Sequence, residues 1–159
     1  MSILRGKKRV YDRYREGLKD LPVIMNPYDD ANSAPNYWLS CMLIDKNAMC
    51  ETVRGERHAL YISENGKSCP TEILEVLSAF NVEGRPIWKP MHMQPIYRMN
   101  SFITEAGNGR ARSNAYIDEG ATLDIGADIF ERGLCLPSYN KMTEEEQDVI
   151  IDIINRCFE

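Results

Sequence analysis

The sequence predicts an α/β sandwich: a small, largely antiparallel sheet with helices packed on one face. Three observations lead there. Apolar residues recur at helical spacing in three well-separated segments, short apolar runs of strand length lie between them, and no linker separates two cores. At 159 residues, 43% apolar and 27% charged, the chain is read as a single domain spanning 1–159.

The first helix is expected over residues 4 to 20, LRGKKRVYDRYREGLKD, where Tyr11, Tyr14, Leu18 and Leu21 form one apolar stripe. Pro22 should end it. Residues 37–44, YWLSCMLI, read as a central strand buried on both faces, and Asp45-Lys46-Asn47 then turns the chain. Residues 48–68 are polar and irregular, fit for a surface excursion with at most a short helix or hairpin. Gly66-Lys67-Ser68 imitates the end of a phosphate loop. Position 61 is Tyr where the earlier glycine is required, so triphosphate binding is not expected there.

From Pro70, the residues Ile73, Leu74, Leu77 and Phe80 predict a second amphipathic helix with Gly84 as its stop. Next comes RPIWKPMHMQPIY, residues 85–97, in which three prolines rule out an interior helix and predict a short strand leading into a stiff loop. Residues 104–127 hold four glycines and little periodicity, the pattern of a long functional loop. A helical turn at 128–132 and a strand at 133–137 follow. Thr143-Glu144-Glu145-Glu146 is a capping box, and Val149, Ile150, Ile153, Ile154, Cys157 and Phe158 repeat at helical spacing behind it.

A net charge of −5 argues against general nucleic-acid or membrane-surface binding, which needs a basic face. No run is long enough to span a membrane, and the start MSILRGKKRV has too short an apolar region for a signal peptide, so a cytoplasmic location is expected. Cys41, Cys50, Cys69, Cys135 and Cys157 form no C-x-x-C pair and read as small buried hydrophobes. A catalytic thiol would need His58 or His92 beside it.

Three stretches taken together, RPIWKPMHMQPIY, GNGRARSNAY and DIFERGLCLPSYNKMTEEEQDVIIDIINRCF, resemble the C-terminal small domain of the DegT/DnrJ/StrS family of pyridoxal-phosphate-dependent nucleotide-sugar aminotransferases, of the surface-glycan and pilin sugar type. The resemblance runs from the KKRVYDRYREGLKDLP helix to Phe158. It implies the small domain of a fold-type-I enzyme that transfers an amino group, from a donor such as glutamate, to a keto-sugar nucleotide. The cofactor lysine, the pyridine-nitrogen aspartate and the phosphate cradle would belong to a large domain preceding Met1. No catalytic or cofactor-binding residue is therefore expected in this chain, and alone it should be inactive.

What the resemblance leaves to this chain is substrate contact. His92 and Gln94 lie on the stiff loop, Lys89 lies between Trp88 and Pro90, and Arg110 and Arg112 could clamp a diphosphate. Each has a plainer alternative: His92 and Gln94 bonded within their own loop, Lys89 a solvated charge, the arginines part of a solvated glycine-rich loop. Trp88 is read as core, and Tyr11, Tyr14, Met91 and Met93 as packing residues. The implied partners are the large domain and a nucleotide sugar, and apolar surface left uncovered would favour a homo-oligomer. The alternatives are a stand-alone nucleotide-sugar-binding or interaction module, or a remnant without function.

Overall fold

The computed structural model describes residues 2–29, 31–54, 59–97, 100 and 124–159. They fall into two compact units, the larger made of residues 1–86 and 132–159 and the smaller of 87–131.

In the larger unit, helix α1 (Ile3–Gly17) starts at Ser2, whose side chain accepts from the Arg5 amide. Strands β1 (Val23–Met25), β2 (Ser40–Ile44), β5 (Arg85–Pro86) and β6 (Gly133–Leu136) form one sheet, ordered β1-β2-β6-β5 and antiparallel throughout. Pro86 fits because β5 is an edge strand and need not donate outward. Strands β3 (Thr52–Arg54) and β4 (Ala59–Tyr61) make a separate antiparallel pair in the polar excursion. Helices α2 (Pro70–Ala79) and α4 (Glu144–Arg156) complete the unit.

The core sits on one face of the sheet. Met42, Ile44, Leu134 and Leu136 meet Val10, Tyr14 and Leu18 of α1 and Ile73 and Leu77 of α2, while α4 adds Ile150, Ile151, Ile153 and Ile154 against both helices. Each such side chain contributes about 1.5–3 kcal/mol of transfer free energy. Tyr14 is wholly buried, yet its hydroxyl donates to the Pro137 carbonyl at 3.0 Å, and burial pushes its ionisation well above the ordinary tyrosine range. The capping box of α4 is complete: the Glu146 amide donates to Thr143 Oγ1 at 3.1 Å and the Thr143 amide to Glu146 Oε2 at 2.8 Å. Arg13 bridges α1 to α4 through Glu144 at 3.0 Å and Asp148 at 2.7 Å.

Several sequence expectations are corrected. The run 37–44 does not act as one strand buried on both faces: Tyr37 has φ 51°, Trp38 is 64% exposed, and the strand begins only at Ser40. Tyr37 holds that unfavourable backbone by packing its ring on Tyr11 and Tyr28, each at 5.5 Å. Within β2, Ser40, Met42 and Ile44 are buried, whereas Cys41 and Leu43 on the other face are only half-buried. Helix α2 ends at Ala79, before Asn81 at φ 58°, so Phe80 falls outside the stripe and is exposed. Gly84 is no stop signal; a Cβ there would lie 2.6 Å from Leu74 Cδ2. Val149 is exposed and Ile151 takes its place in the core.

The smaller unit holds two 3₁₀ turns, Met91–Met93 and Pro95–Tyr97, and most of helix α3 (Ile125–Arg132), which begins three residues earlier than the sequence suggests. Met93, Ala127 and Phe130 are its small core. Among the described residues, no helix is long and apolar enough to cross a membrane.

Candidate functional site

The stiffness of the proline-rich segment has a local cause. Pro90 has φ −54° and ψ 148°, and the Met93 amide bonds back to its carbonyl at 3.0 Å to open the first turn. Gln94 and Tyr97 close successive turns through bonds to Met91 and Gln94 carbonyls, each 3.0 Å. The Gln94 side-chain amide then donates to the Lys89 carbonyl at 3.0 Å, tying the turn to the residue before it. This is the local backbone role weighed for Gln94.

His92 is held from outside its own loop. Its Nε2 lies 2.5 Å from Asp124 Oδ2, a short hydrogen bond, and because a carboxylate accepts, Nε2 carries the hydrogen. Asp124 is in turn fixed as the cap of α3: its Oδ1 accepts from the Ala127 amide at 2.9 Å and its carbonyl from the Asp128 amide at 3.0 Å. The helix start lies against the loop at Gly126, where a Cβ would make ordinary van der Waals contact with Pro90 at 3.4 Å. The Met93–Ala127–Phe130 cluster closes the contact beneath. With Asp124 at 9% side-chain exposure and His92 at 18%, the pair is sheltered while part of the imidazole still reaches solvent.

The structure therefore brings together His92, Gln94 and Lys89 on one braced loop, Lys89 being half-buried. Arg110 and Arg112, like His58, lie outside the described residues. Trp88 is 64% exposed and Met91 63% exposed, so neither is the packing residue expected; only Met93 of the three is buried. Within the first 3₁₀ turn Met93 faces the small core and Met91 faces out, while Trp88 precedes the turn. Asp124 is the site residue that the sequence reading missed. Its signal was present as an Asp placed one residue before Ile125-Gly126-Ala127-Asp128, an N-cap pattern.

Two open grooves lie in the larger unit. One, of about 380 Å³, is lined by Tyr11, Arg15, Leu18, Lys19, Met25 and Tyr28 among others, and the second, of about 400 Å³, by Glu64, Lys67, Glu72, Arg156 and Cys157 among others. Neither contains a residue that the sequence offered for substrate contact. A pyridoxal phosphate anchor needs a lysine that readily gives up its proton beside a phosphate cradle. Lys19 is instead paired with Glu16 at 2.5 Å, which holds its ammonium above the ordinary range, and Lys67 is paired with Glu64 at 2.8 Å. Neither groove lysine fits the covalent anchor of that cofactor. Among the described residues, no group of three His, Cys, Asp or Glu could hold a metal ion.

No family model matches the sequence. A Bacillus subtilis (strain 168) protein named as a pyridoxal phosphate-dependent aminotransferase, EpsN, is 28% identical over 152 residues, which is 96% of this chain and 30% of that protein. A DegT/DnrJ/EryC1/StrS aminotransferase from Brucella abortus superposes with a TM-score of 0.64 at 17% identity, across 98% of this chain and 31% of its own. The chain resembles the C-terminal part of a DegT/DnrJ/StrS aminotransferase. A further solved structure, DesI with its TDP-sugar product, gives a TM-score of 0.64 at 19% identity, covering 97% of this chain and 31% of that one. At those identities the solved structures establish the aminotransferase-type fold. The chain thus spans about a third of the length of each aminotransferase it matches.

Proposed function

We propose that this chain acts as the small domain of a sugar aminotransferase, working with a large domain that carries the cofactor. The observation that carries this reading is the end-to-end match: 96–98% of the chain aligns with roughly 30% of each relative, in sequence with EpsN and in fold with the solved enzymes. When bound in the large domain, pyridoxal phosphate would supply the electron sink and the amino-group carrier. The residues of this chain would bind and orient the keto-sugar nucleotide and keep water from the reacting centre.

His92 is the residue best arranged for that task. Asp124 fixes its ring, and the exposed edge of a ring so held can orient a sugar hydroxyl with little loss of freedom on binding. Lys89, Arg110 and Arg112 would meet the anionic diphosphate, and Gln94 would brace the loop while presenting its carboxamide oxygen. The exposed Trp88, Met91 and Ile96 give the same loop an apolar surface for the large domain to cover.

The test is reconstitution. Combined with the large domain of a close relative, the chain should restore amino transfer from glutamate to a nucleotide-linked 4-keto-hexose, read as 2-oxoglutarate release. Alone it should turn over nothing. His92→Ala should raise KM several-fold, the scale of one neutral hydrogen bond of about 0.5–1.5 kcal/mol, and lower the thermal midpoint of the chain only by the loss of the Asp124 bond. An unchanged KM with a lowered midpoint would make the loop a packing device. Nucleotide-sugar binding by the chain alone, with no gain on reconstitution, would favour a stand-alone binding module.

A further inference from the structure

Cys41 and Cys135 stand in the middle of the two central strands, each among apolar neighbours that point the other way. Ser40, Met42 and Ile44 of β2 are buried, as are Leu134 and Leu136 of β6; strand alternation sends Cys41 and Cys135 together to the opposite face. The register pairs them directly, Cys41 opposite Cys135. Their sulfurs are 3.5 Å apart.

The backbone shows what kind of pair this is. The Cys41 carbonyl accepts from the Asn26 amide at 2.8 Å and the Cys41 amide donates to Asn26 Oδ1 at 2.9 Å, so both of its polar groups point toward β1. Toward β6, Cys41 and Cys135 therefore form a non-hydrogen-bonded pair, the closer of the two antiparallel arrangements, with Cα atoms about 4.5 Å apart. That lies within the span of about 4.4–6.8 Å that a disulfide bridges. Access favours Cys41 as the point of entry. Cys41 is half-buried, whereas Cys135, Cys50 and Cys69 are 3%, 3% and 0% exposed and Cys157, also half-buried, is bonded to the Ile153 carbonyl at 3.3 Å; exposure and not acidity makes Cys41 the first to react, since its contact with Cys135 and burial push its thiol up.

We propose that Cys41 and Cys135 are a redox-active pair that a low-molecular-weight disulfide such as glutathione disulfide converts into a cross-strand disulfide between β2 and β6. The Cys41 thiolate attacks one sulfur of glutathione disulfide, forming a mixed disulfide and expelling a glutathione thiolate. The Cys135 sulfur then attacks Cys41 Sγ, forming the protein bond and expelling the second glutathione. The two protons lost by the cysteines end on two glutathione thiols; the protein pair gives up two electrons and the glutathione disulfide takes them. The register and the 3.5 Å contact prepare the second step, because they hold Cys135 Sγ beside the Cys41 sulfur it attacks. The bond would join positions 94 apart and enclose the whole segment 87–131 that carries His92 and Asp124. Closing so long a loop restricts the unfolded chain strongly.

Each cysteine falls on its own tryptic peptide, with Cys41 on 20–46 and Cys135 on 133–141. The folded chain, treated with glutathione disulfide, freed of excess reagent, denatured and alkylated, should show three labelled thiols where the reduced chain shows five. Peptides 20–46 and 133–141 should appear joined, and the chain should run faster on a non-reducing gel. Cys41→Ser and Cys135→Ser should each abolish the joined peptide and the mobility shift, and treatment in denaturing guanidinium should lose the preference for this pairing. Five thiols retained in the folded chain would overturn the proposal. So would a mixed glutathione adduct at Cys41 that persists with Cys135 free, or linkage through Cys50, Cys69 or Cys157 in place of the predicted pair.

Discussion

Gln147 offers a direct test of how the core is built, because it occupies a position that an apolar residue would fill more simply. It lies in the first turns of α4, on the stripe continued by Ile150, Ile151, Ile154 and Phe158, and it is 0% exposed. Its Nε2 donates to the Val10 carbonyl at 2.7 Å, while its Oε1 has no hydrogen-bond partner among the described residues. Replacing it by methionine keeps length and flexibility and removes both polar atoms. The lost hydrogen bond costs about 0.5–1.5 kcal/mol, and the removed unsatisfied acceptor returns about 1–3 kcal/mol. The Val10 carbonyl lies inside α1 and keeps its own helical acceptor role, so no new orphan is created. Gln147→Met should therefore stabilise by about 1 kcal/mol, a rise of about 2–4 °C in Tm for a chain of this size. Gln147→Ala, which leaves a cavity, should cost about 2 kcal/mol or more. Urea titrations followed by far-UV circular dichroism give both values. A loss above about 1 kcal/mol for the methionine variant would refute the reasoning, since it would mean that Oε1 is satisfied.

Ile154→Ala should cost about 2–5 kcal/mol because the side chain is wholly buried, whereas Val149→Ala should stay within about 0.5 kcal/mol; equal midpoints in urea would contradict the assigned helix face. Thr143→Ala removes the hydroxyl half of the capping box and should lower stability by about 1 kcal/mol, with amide exchange rising first at the start of α4. Gly6→Ala pits helix propensity, worth about 1 kcal/mol in favour of alanine, against a Cβ placed 2.9 Å from the Asn140 carbonyl oxygen. The clash with backbone should win, and a raised Tm would show that the 138–142 segment yields.

The C-terminal helix and the first helix were legible because their signals are local. A capping box is made within four residues, and a stripe such as Tyr11, Tyr14 and Leu18 needs only the helical period to define a face. The proline-rich loop was legible for the same reason, since proline restricts its own φ and its predecessor whatever lies around it. The short apolar runs GLCLP and SCMLI likewise mark two strands but not their partners.

The partners are what the sequence left undecided and the tertiary structure settled. Whether Val149 or Ile151 faces the core depends on where α1 and α2 lie against α4, which no period within α4 specifies. Trp88 looked like core by its size alone, yet it is exposed. The His92–Asp124 bond spans 32 positions and the Cys41–Cys135 contact spans 94. Such contacts exist only once the chain has closed those loops, because the attraction between the groups falls off within a few ångströms while their separation along the chain carries no record of it. Local stereochemistry thus determined the elements and the rigidity of the loop, and long-range packing decided which side chains meet on them.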